Sequence, residues 1–389
     1  RQLRKQQHIT GKQHKGNEQQ YSFFSGADAV VHMQPQRYSR SRVLIFAALT
    51  LTTMKLVSYL KDGHDALGFL IDEKVYDAET LHPELAGNMS LFLAFWDDMY
   101  PVALEGVRMV TEGRIGSNKA LPVESLQLLA PVPFPTSCRD GYAFRQHVAA
   151  ARRNRKVDMI AEFDQYPIFY FTNHQSITGP GAVSCMPDHF EKLDFELEAA
   201  IVICKEGRNI KAADADAYIG GLMIMNDWSA RRLQMEEMLL NLGPAKGKDF
   251  ATSIGPWLVT LDELQQFETA AKEGHVGKSW NLRMRCAVNG VEVSSGNLSD
   301  MDWTFAEIIE RASYGVTLQP GDVIGSGTVG TGCFLELNGT GKLHNPAYKE
   351  QWLQPGDVVE MELDALGKLH NTVVAEDSDW SILQQKKGV

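Results

Sequence analysis

Leu193-Asp194-Phe195-Glu196-Leu197-Glu198 alternates apolar and acidic residues without exception. If the stretch is a strand, a period of two puts Asp194, Glu196 and Glu198 on one face. Leu193, Phe195 and Leu197 then point the other way, toward a core. Ala199-Ala200-Ile201-Val202-Ile203-Cys204 continues as an apolar run, the pattern of a strand buried on both faces, so the acids lead straight into the interior. No Lys or Arg alternates with them. Two ionised carboxylates about 7 Å apart repel one another as they leave water, and a cation or a shifted pKa must offset that cost. A metal ion is the simplest such cation. The competing reading is a solvated outer face of an antiparallel strand.

Around this stretch lie 389 residues, enough for two domains or one large one, with 44% hydrophobic and 22% charged content that suits a globular protein with a sizeable core. The net charge of −11 argues against nucleic acid or an anionic membrane as a partner, since both select a basic surface. A small molecule or another protein is expected instead. Cys138, Cys185, Cys204, Cys286 and Cys333 are odd in number, far apart and form no Cys-x-x-Cys pair, which fits reduced thiols in a cytoplasmic protein. Cys138 is near His147 in sequence, but no thiolate-stabilising motif accompanies it, and a structural role is the expectation.

Residues 1–53 carry only Glu18 and Asp28 as acids among many Gln, Lys, Arg and Ser. They read as a disordered or non-native extension. Val43-Leu44-Ile45-Phe46-Ala47-Ala48-Leu49 has the look of a signal-peptide core, but no small-residue cleavage site follows and the run is too short to span a bilayer.

Strand patterning begins at Met54, with a turn at Asp62-Gly63, a second apolar run at Ala66–Ile71 and a helical stretch from about Ser90 through Trp96. Residues 54–130 are thus expected to form a small α+β domain. Pro131-Val132-Pro133-Phe134-Pro135 marks a boundary, and 131–389 is expected to form a larger domain, mostly β. There, Leu318-Gln319-Pro320-Gly321-Asp322-Val323 and Leu353-Gln354-Pro355-Gly356-Asp357-Val358 each set Pro before Gly as a type II turn requires, and each should launch a strand. Asn289-Gly290 predicts a tight hairpin. Thr304 and Glu307 form a capping box for a helix ended by Gly315. The fold class is α+β, mostly β.

Two glycine motifs are set aside. Gly325-Ser326-Gly327-Thr328-Val329-Gly330 has dinucleotide-site spacing, but Cys333-Phe334-Leu335-Glu336-Leu337 reads as β where a helix is required. Gly243-Pro244-Ala245-Lys246-Gly247-Lys248 is one residue short of a P-loop, with Asp249 where Ser or Thr would hold magnesium.

Other polar residues stand in apolar surroundings. Asp140, Tyr142 and His147 open the larger domain; Asp140 is either a helix cap or a ligand, and His147 either a surface histidine or a functional one. Asp227 ends the apolar strand Met223–Asn226 and is again a cap or a ligand. Glu336 interrupts an apolar stretch, where an unpaired carboxylate costs several kcal/mol, roughly; His147 would supply the pairing.

Taken in order, Arg139-Asp140-Gly141-Tyr142 through His147, Leu193 through Glu198, Asn226-Asp227-Trp228-Ser229-Ala230-Arg231 with Gln234, Gly247-Lys248-Asp249-Phe250, and Gly327-Thr328 with Leu335-Glu336 resemble the fumarylacetoacetate hydrolase family over about residues 131–375, and its longer bacterial members over 54–389. The resemblance implies a β-roll catalytic domain, a homodimer, and a divalent metal held at the positions of Asp140, Glu196, Glu198 and Asp227, with Lys248 and Thr252 beside it. An all-oxygen set favours Mg²⁺ foremost, with Ca²⁺ or Mn²⁺ as alternatives, over zinc. It further implies that His147, paired with Glu336, is the general base, that Lys248 with the metal stabilises the charge developing on an enolate leaving group, and that Tyr142, Gln234 and Thr328 contact substrate. Met238 stands where the animal enzymes carry a substrate-binding Tyr, and Arg152, Arg153, Arg155 and Lys156 crowd where those enzymes place one Arg.

The implied reaction is metal-dependent hydrolysis of a carbon–carbon bond in fumarylacetoacetate or a related acylpyruvate or 1,3-diketone acid, with water activated by the His–Glu dyad. A lyase or isomerase on the same scaffold, such as an oxaloacetate decarboxylase or a sugar-acid dehydratase, is the alternative for a small 2-oxo acid substrate. A catalytically silent metal-binding protein is the third reading.

Overall fold

The computed structural model describes residues 54–387; the expectations for residues 1–53 lie outside them. The elements that position the site are, in chain order, β1 (Lys55–Lys61), β2 (His64–Ile71), β3 (Lys74–Asp77), α1 (Trp96–Thr111), β4 (Ser137–Gly141), α2 (Arg145–Asn154), β5 (Phe169–Thr172), β6 (Gly181–Cys185), β7 (Leu197–Ile203), β8 (Ile219–Asp227), α3 (Arg231–Met238), β9 (Thr252–Val259), β10 (Arg283–Val288), β11 (Val291–Asn297), α4 (Phe305–Ser313), β12 (Asp322–Gly325), α5 (Phe334–His344), β13 (Val358–Leu363) and β14 (Gly367–Ala375).

A central sheet runs β3-β2-β1-β9-β8-β7-β12-β4-β5, and a second sheet runs β11-β10-β13-β14-β6. Most pairs are antiparallel; β12 with β4 and β14 with β6 are parallel. The fold is α+β and mostly β. Strands β1–β3 continue the central sheet, because Lys55 pairs with Val259 and Leu56 with Leu258, so the expected boundary near residue 131 falls inside one continuous sheet.

The turn chemistry explains the hairpins. Asp62 and Gly63, and likewise Asn289 and Gly290, take positive φ at both central positions, which matches the twist of the strands they join. Gly321 and Gly356 have φ of +93° and +89° after their prolines, and β12 and β13 follow. The Thr304–Glu307 capping box opens α4. The helical stretch read from Ser90 to Trp96 extends through Thr111, with Pro101 inside α1.

Strand β7 shows why the middle of the sheet is apolar on both faces. Leu197, Ala199, Ile201 and Ile203 pack toward the second sheet and α4, in a core shared with Met284, Cys286, Met361, Leu363 and Ile308. Ala200 and Val202 pack on the opposite face with Phe92, Leu93, Ala103 and Val107 of the helical layer. The second face decides where the functional side chains point. Cys138 on β4, Ala200 on β7, Met225 on β8 and Ile254 on β9 all belong to it. Two residues along each strand, on the same face, stand Asp140, Glu198, Asp227 and Thr252.

Three readings of the sequence need correction. The alternating stretch is not one strand: Leu193–Asp194 pairs with Ser229–Ala230, and β7 starts only at Leu197. Its acids are not a solvated face, since Asp194, Glu196 and Glu198 are all buried. Cys333–Leu337 is not β; it begins α5, whose first turn is held by Asp194 accepting from the N–H groups of Phe334 and Leu335. A helix therefore does follow the glycine motif, and the ground for setting that motif aside falls. The glycines nonetheless serve the protein's own carboxylate: Gly327, at φ +79°, donates its N–H to Asp140, and a Cβ there would lie 2.7 Å from the carbonyl oxygen of Gly141.

Candidate active site

Register brings four carboxylates together. Asp140 pairs with Gly325 and Tyr170, Glu198 with Met225, and Asp227 with Thr252, so neighbouring strands end at one level. Glu196, in the break before β7, completes the group; Asn226 accepts from its backbone N–H at 3.0 Å. One oxygen each from Asp140, Glu196, Glu198 and Asp227 lies within 4.8 Å of the others, and all four residues are buried.

Two cations face this cluster. Lys248 donates to Glu196 at 2.6 Å and to Asp227 at 2.5 Å. Arg231 donates to Asp194 at 2.8 Å and to Glu196 at 2.7 Å. Burial alone would raise the Glu196 pKa, but Lys248 and Arg231 outweigh it and hold this carboxyl well below its usual range. Burial likewise disfavours a charged Lys248, and Asp227 and Glu196 reverse the effect, so it stays an ammonium.

The far side of the cluster lacks such help. Burial, joined by the charge of Asp227, pushes Asp140 up to about 8, and burial with Asp140 and Glu196 pushes Glu198 well above the carboxylate range. Glu198 Oε2 and Asp227 Oδ1 are buried without a hydrogen-bond partner. Such orphaned acceptors are costly unless something positive meets them. Four points no more than 4.8 Å apart lie at most about 2.9 Å from a common centre, against oxygen–metal distances of about 2.0–2.6 Å for Mg²⁺ and Ca²⁺. The residues therefore fit a hard divalent cation, which would displace the protons these acids otherwise hold.

Beside the cluster, His147 on α2 meets Glu336 on α5 at 2.7 Å between Nδ1 and Oε2, both side chains buried. The two helices approach closely: Asn154 donates to the Glu336 carbonyl, and a Cβ on Gly339 would lie 2.3 Å from the Asn154 side chain. Tyr142 stacks edge-on to His147 with ring centroids 6.0 Å apart. Thr328 lies 3.4 Å from Glu198 through its hydroxyl, and Thr252 is buried opposite Asp227.

Gln234 accepts from Arg231 at 3.0 Å. Met238 is exposed, and Arg152, Arg153 and Arg155 donate to the Asp158 carbonyl, the Thr340 hydroxyl and the Ala151 carbonyl.

Sequence reasoning missed three participants. Arg231 had been quoted without a role, and the two-residue ladder that sets it beside Asp194 leaves no local signature. Tyr170 donates to Asp227 at 2.5 Å from the edge strand β5, far off in sequence. Cys333 was read as one thiol among five and as the start of a stretch taken for β, yet its sulfur lies within 4.8 Å of donor atoms of His147 and Glu196.

A profile described as the fumarylacetoacetate hydrolase C-terminal domain matches residues 136–374. The chain belongs to the fumarylacetoacetate hydrolase family. It is 31% identical over 332 residues to the mitochondrial oxaloacetate tautomerase Fahd2a of Rattus norvegicus, covering 82% of this chain and 92% of that one. It is 34% identical over 197 residues to a fumarylacetoacetase of Arabidopsis thaliana, covering 43% and 47%. Among solved structures, a probable 2-hydroxyhepta-2,4-diene-1,7-dioate isomerase from Mycobacterium abscessus superposes with a TM-score of 0.59 at 25% identity, over 84% of this chain and all of that one. The family is enzymatic, and its members include tautomerases, isomerases and hydrolases. Among the described residues no helix is long and apolar enough to cross a membrane.

Proposed function

We propose that this protein is a metal-dependent enzyme that interconverts the keto and enol forms of a small 2-oxo dicarboxylic acid such as oxaloacetate, with His147 moving the proton. The observation that carries the reading is the buried His147–Glu336 pair at the edge of a four-carboxylate cluster. The choice of reaction draws support from the tautomerase relative, whose similarity runs along most of both chains, whereas that of the fumarylacetoacetase spans less than half of each.

Asp140, Glu196, Glu198 and Asp227 would hold the metal, which when bound polarises the 2-oxo acid as a Lewis acid. The chain's own residues do the rest. Glu336 occupies Nδ1 of His147 and leaves Nε2 free to accept the proton from the carbon next to the oxo group. The carboxylate keeps the ring oriented and stabilises the imidazolium that results. The same Nε2–H then returns its proton to the enolate oxygen, so no proton is gained or lost. Lys248 and Arg231 keep Glu196 ionised against the burial that opposes it. Tyr142, Gln234 and Thr328 border the site as substrate contacts, and a homodimer is the proposed assembly.

Hydrolysis of an acylpyruvate or 1,3-diketone acid is the second reading, because a base oriented in this way can equally take its proton from water. A panel of 2-oxo acids and diketone acids with Mg²⁺, followed by NMR for exchange at the carbon next to the oxo group and by mass spectrometry for cleavage, separates the two. Rapid exchange without cleavage is expected. Cleavage of a diketone acid with no acceleration of exchange would establish the second reading, and neither activity would overturn both.

A further inference from the structure

His147, Glu196 and Cys333 bring one nitrogen, one oxygen and one sulfur within 4.8 Å of each other, and all three residues are buried. Glu336 holds Nδ1 of His147, so the imidazole presents Nε2. A histidine whose other nitrogen is fixed by a carboxylate is the usual form of a zinc ligand. Cys333 is the residue on which α5 begins, and its thiol is in no disulfide.

We propose that His147, Glu196 and Cys333 form a second, inhibitory metal site, selective for a borderline-soft ion such as Zn²⁺ and distinct in chemistry from the all-oxygen cluster it adjoins.

The donor set makes the distinction. Four carboxylates suit hard cations, whereas a thiolate, an imidazole and a carboxylate suit zinc, and three protein ligands leave a fourth position open. Distances agree: three atoms no more than 4.8 Å apart lie at most about 2.8 Å from a common centre, against zinc bonds of about 2.0–2.3 Å. Side-chain shifts of under about 1 Å close the site around an ion. A Cys333 thiolate would supply one negative charge to the ion, while Glu196 shares its charge with Arg231 and Lys248, which donate to its two oxygens. The thiol proton passes to solvent as the sulfur binds.

Inhibition follows from shared atoms. Zinc on Nε2 takes the lone pair that the proposed base uses, and it draws on Glu196, which the oxygen cluster also needs. Inhibition thus rests on the reading of His147 as base, while binding does not.

The test uses the full chain loaded with Mg²⁺ and then given Co²⁺ or Zn²⁺ alone. Cobalt is expected to produce a thiolate-to-metal charge-transfer band in the near ultraviolet, and equilibrium dialysis to find one zinc per chain beyond the site filled by Mg²⁺. Cys333→Ser, which keeps the volume, should abolish the band and weaken zinc by more than the roughly 10- to 100-fold that losing an outer partner of a metal ligand costs. Cys333→Ala should free turnover from zinc inhibition. No charge-transfer band in the unmodified protein would overturn the proposal. So would equal zinc inhibition in Cys333→Ala, which would place the zinc in the carboxylate cluster. The band needs no turnover, so it stands or falls apart from the proposed reaction.

Discussion

Arg231 donates from Nε to Asp194 at 2.8 Å, and that bond ties the break before β7 to the first turn of α5, because Asp194 also accepts from Phe334 and Leu335. Both side chains are essentially inaccessible to solvent. Removing one partner of such a pair strands the other charge, at a cost of about 3–5 kcal/mol. Arg231→Met is expected to lower unfolding free energy in urea by that amount. Arg231→Lys should recover only part of it, since an ammonium cannot reach Asp194 and Glu196 as a planar fork does. A loss below about 1 kcal/mol for Arg231→Met, the level of an exposed pair, would show that this bridge does not hold the site together.

Local chemistry made much of this fold legible. Asp62-Gly63, Asn289-Gly290, Pro320-Gly321, Pro355-Gly356 and the Thr304–Glu307 box each act within a few residues and were read correctly. The four carboxylates were named as one set through the family resemblance; their own sequence put Glu196 and Glu198 in one alternating stretch and left Asp140 and Asp227 as caps or ligands. The identity of α5 was not legible: Phe334-Leu335-Glu336-Leu337 reads as a strand by composition, and Asp194, about 140 residues earlier, makes it a helix. Of the two cations that offset the buried acids, Arg231 was hidden for the same reason, and Lys248 was named only through the family resemblance. Lys248 and Arg231 reach Glu196 from other elements, so the alternating stretch, which has no base of its own, pointed to a metal as the simplest compensating cation.

Glu336 lies 2.7 Å from His147 and is expected to act through it. Glu336→Gln keeps the shape and part of the hydrogen bonding but loses the charge that stabilises an imidazolium. Turnover should fall, though less than for removal of the ring. The double variant with His147→Ala should be little worse than His147→Ala alone, because the two act as a unit. Additive losses in steady-state kinetics would mean that Glu336 contributes on its own account.

His189 is expected to give the stability of the protein a pH dependence. Its Nδ1 accepts from the Met186 N–H at 3.2 Å and its ring stacks on Phe250. Burial holds its pKa down at about 4 from an ordinary 6.5. A base with a depressed folded pKa binds fewer protons folded than unfolded, so its contribution is fully present above 6.5 and is lost as pH falls from there toward 4. His189→Gln should flatten the stability profile across that window. An unchanged slope in denaturant titrations from pH 7 to 4 would contradict the assignment.

The carboxylate cluster is expected to require a hard cation. Chelation should abolish turnover, and Mg²⁺ or Mn²⁺ should restore it. Because the ion binds only the assembled cluster, metal at 100 times its Kd should stabilise the fold by about 2.7 kcal/mol. Glu198→Gln should remove most of that stabilisation in thermal melts. Full activity in chelator, or rescue by zinc alone, would count against the oxygen site.

The central claim is that His147 moves the proton while the carboxylates hold the metal. His147→Ala, assayed for metal content, substrate affinity and turnover in the same Mg²⁺-loaded preparation, tests it most directly. The account predicts metal content and affinity near those of the unmodified protein, with kcat lowered by roughly 10²- to 10⁴-fold for exchange at the carbon beside the oxo group. An His147→Ala protein that catalyses that exchange at the unmodified rate would contradict it.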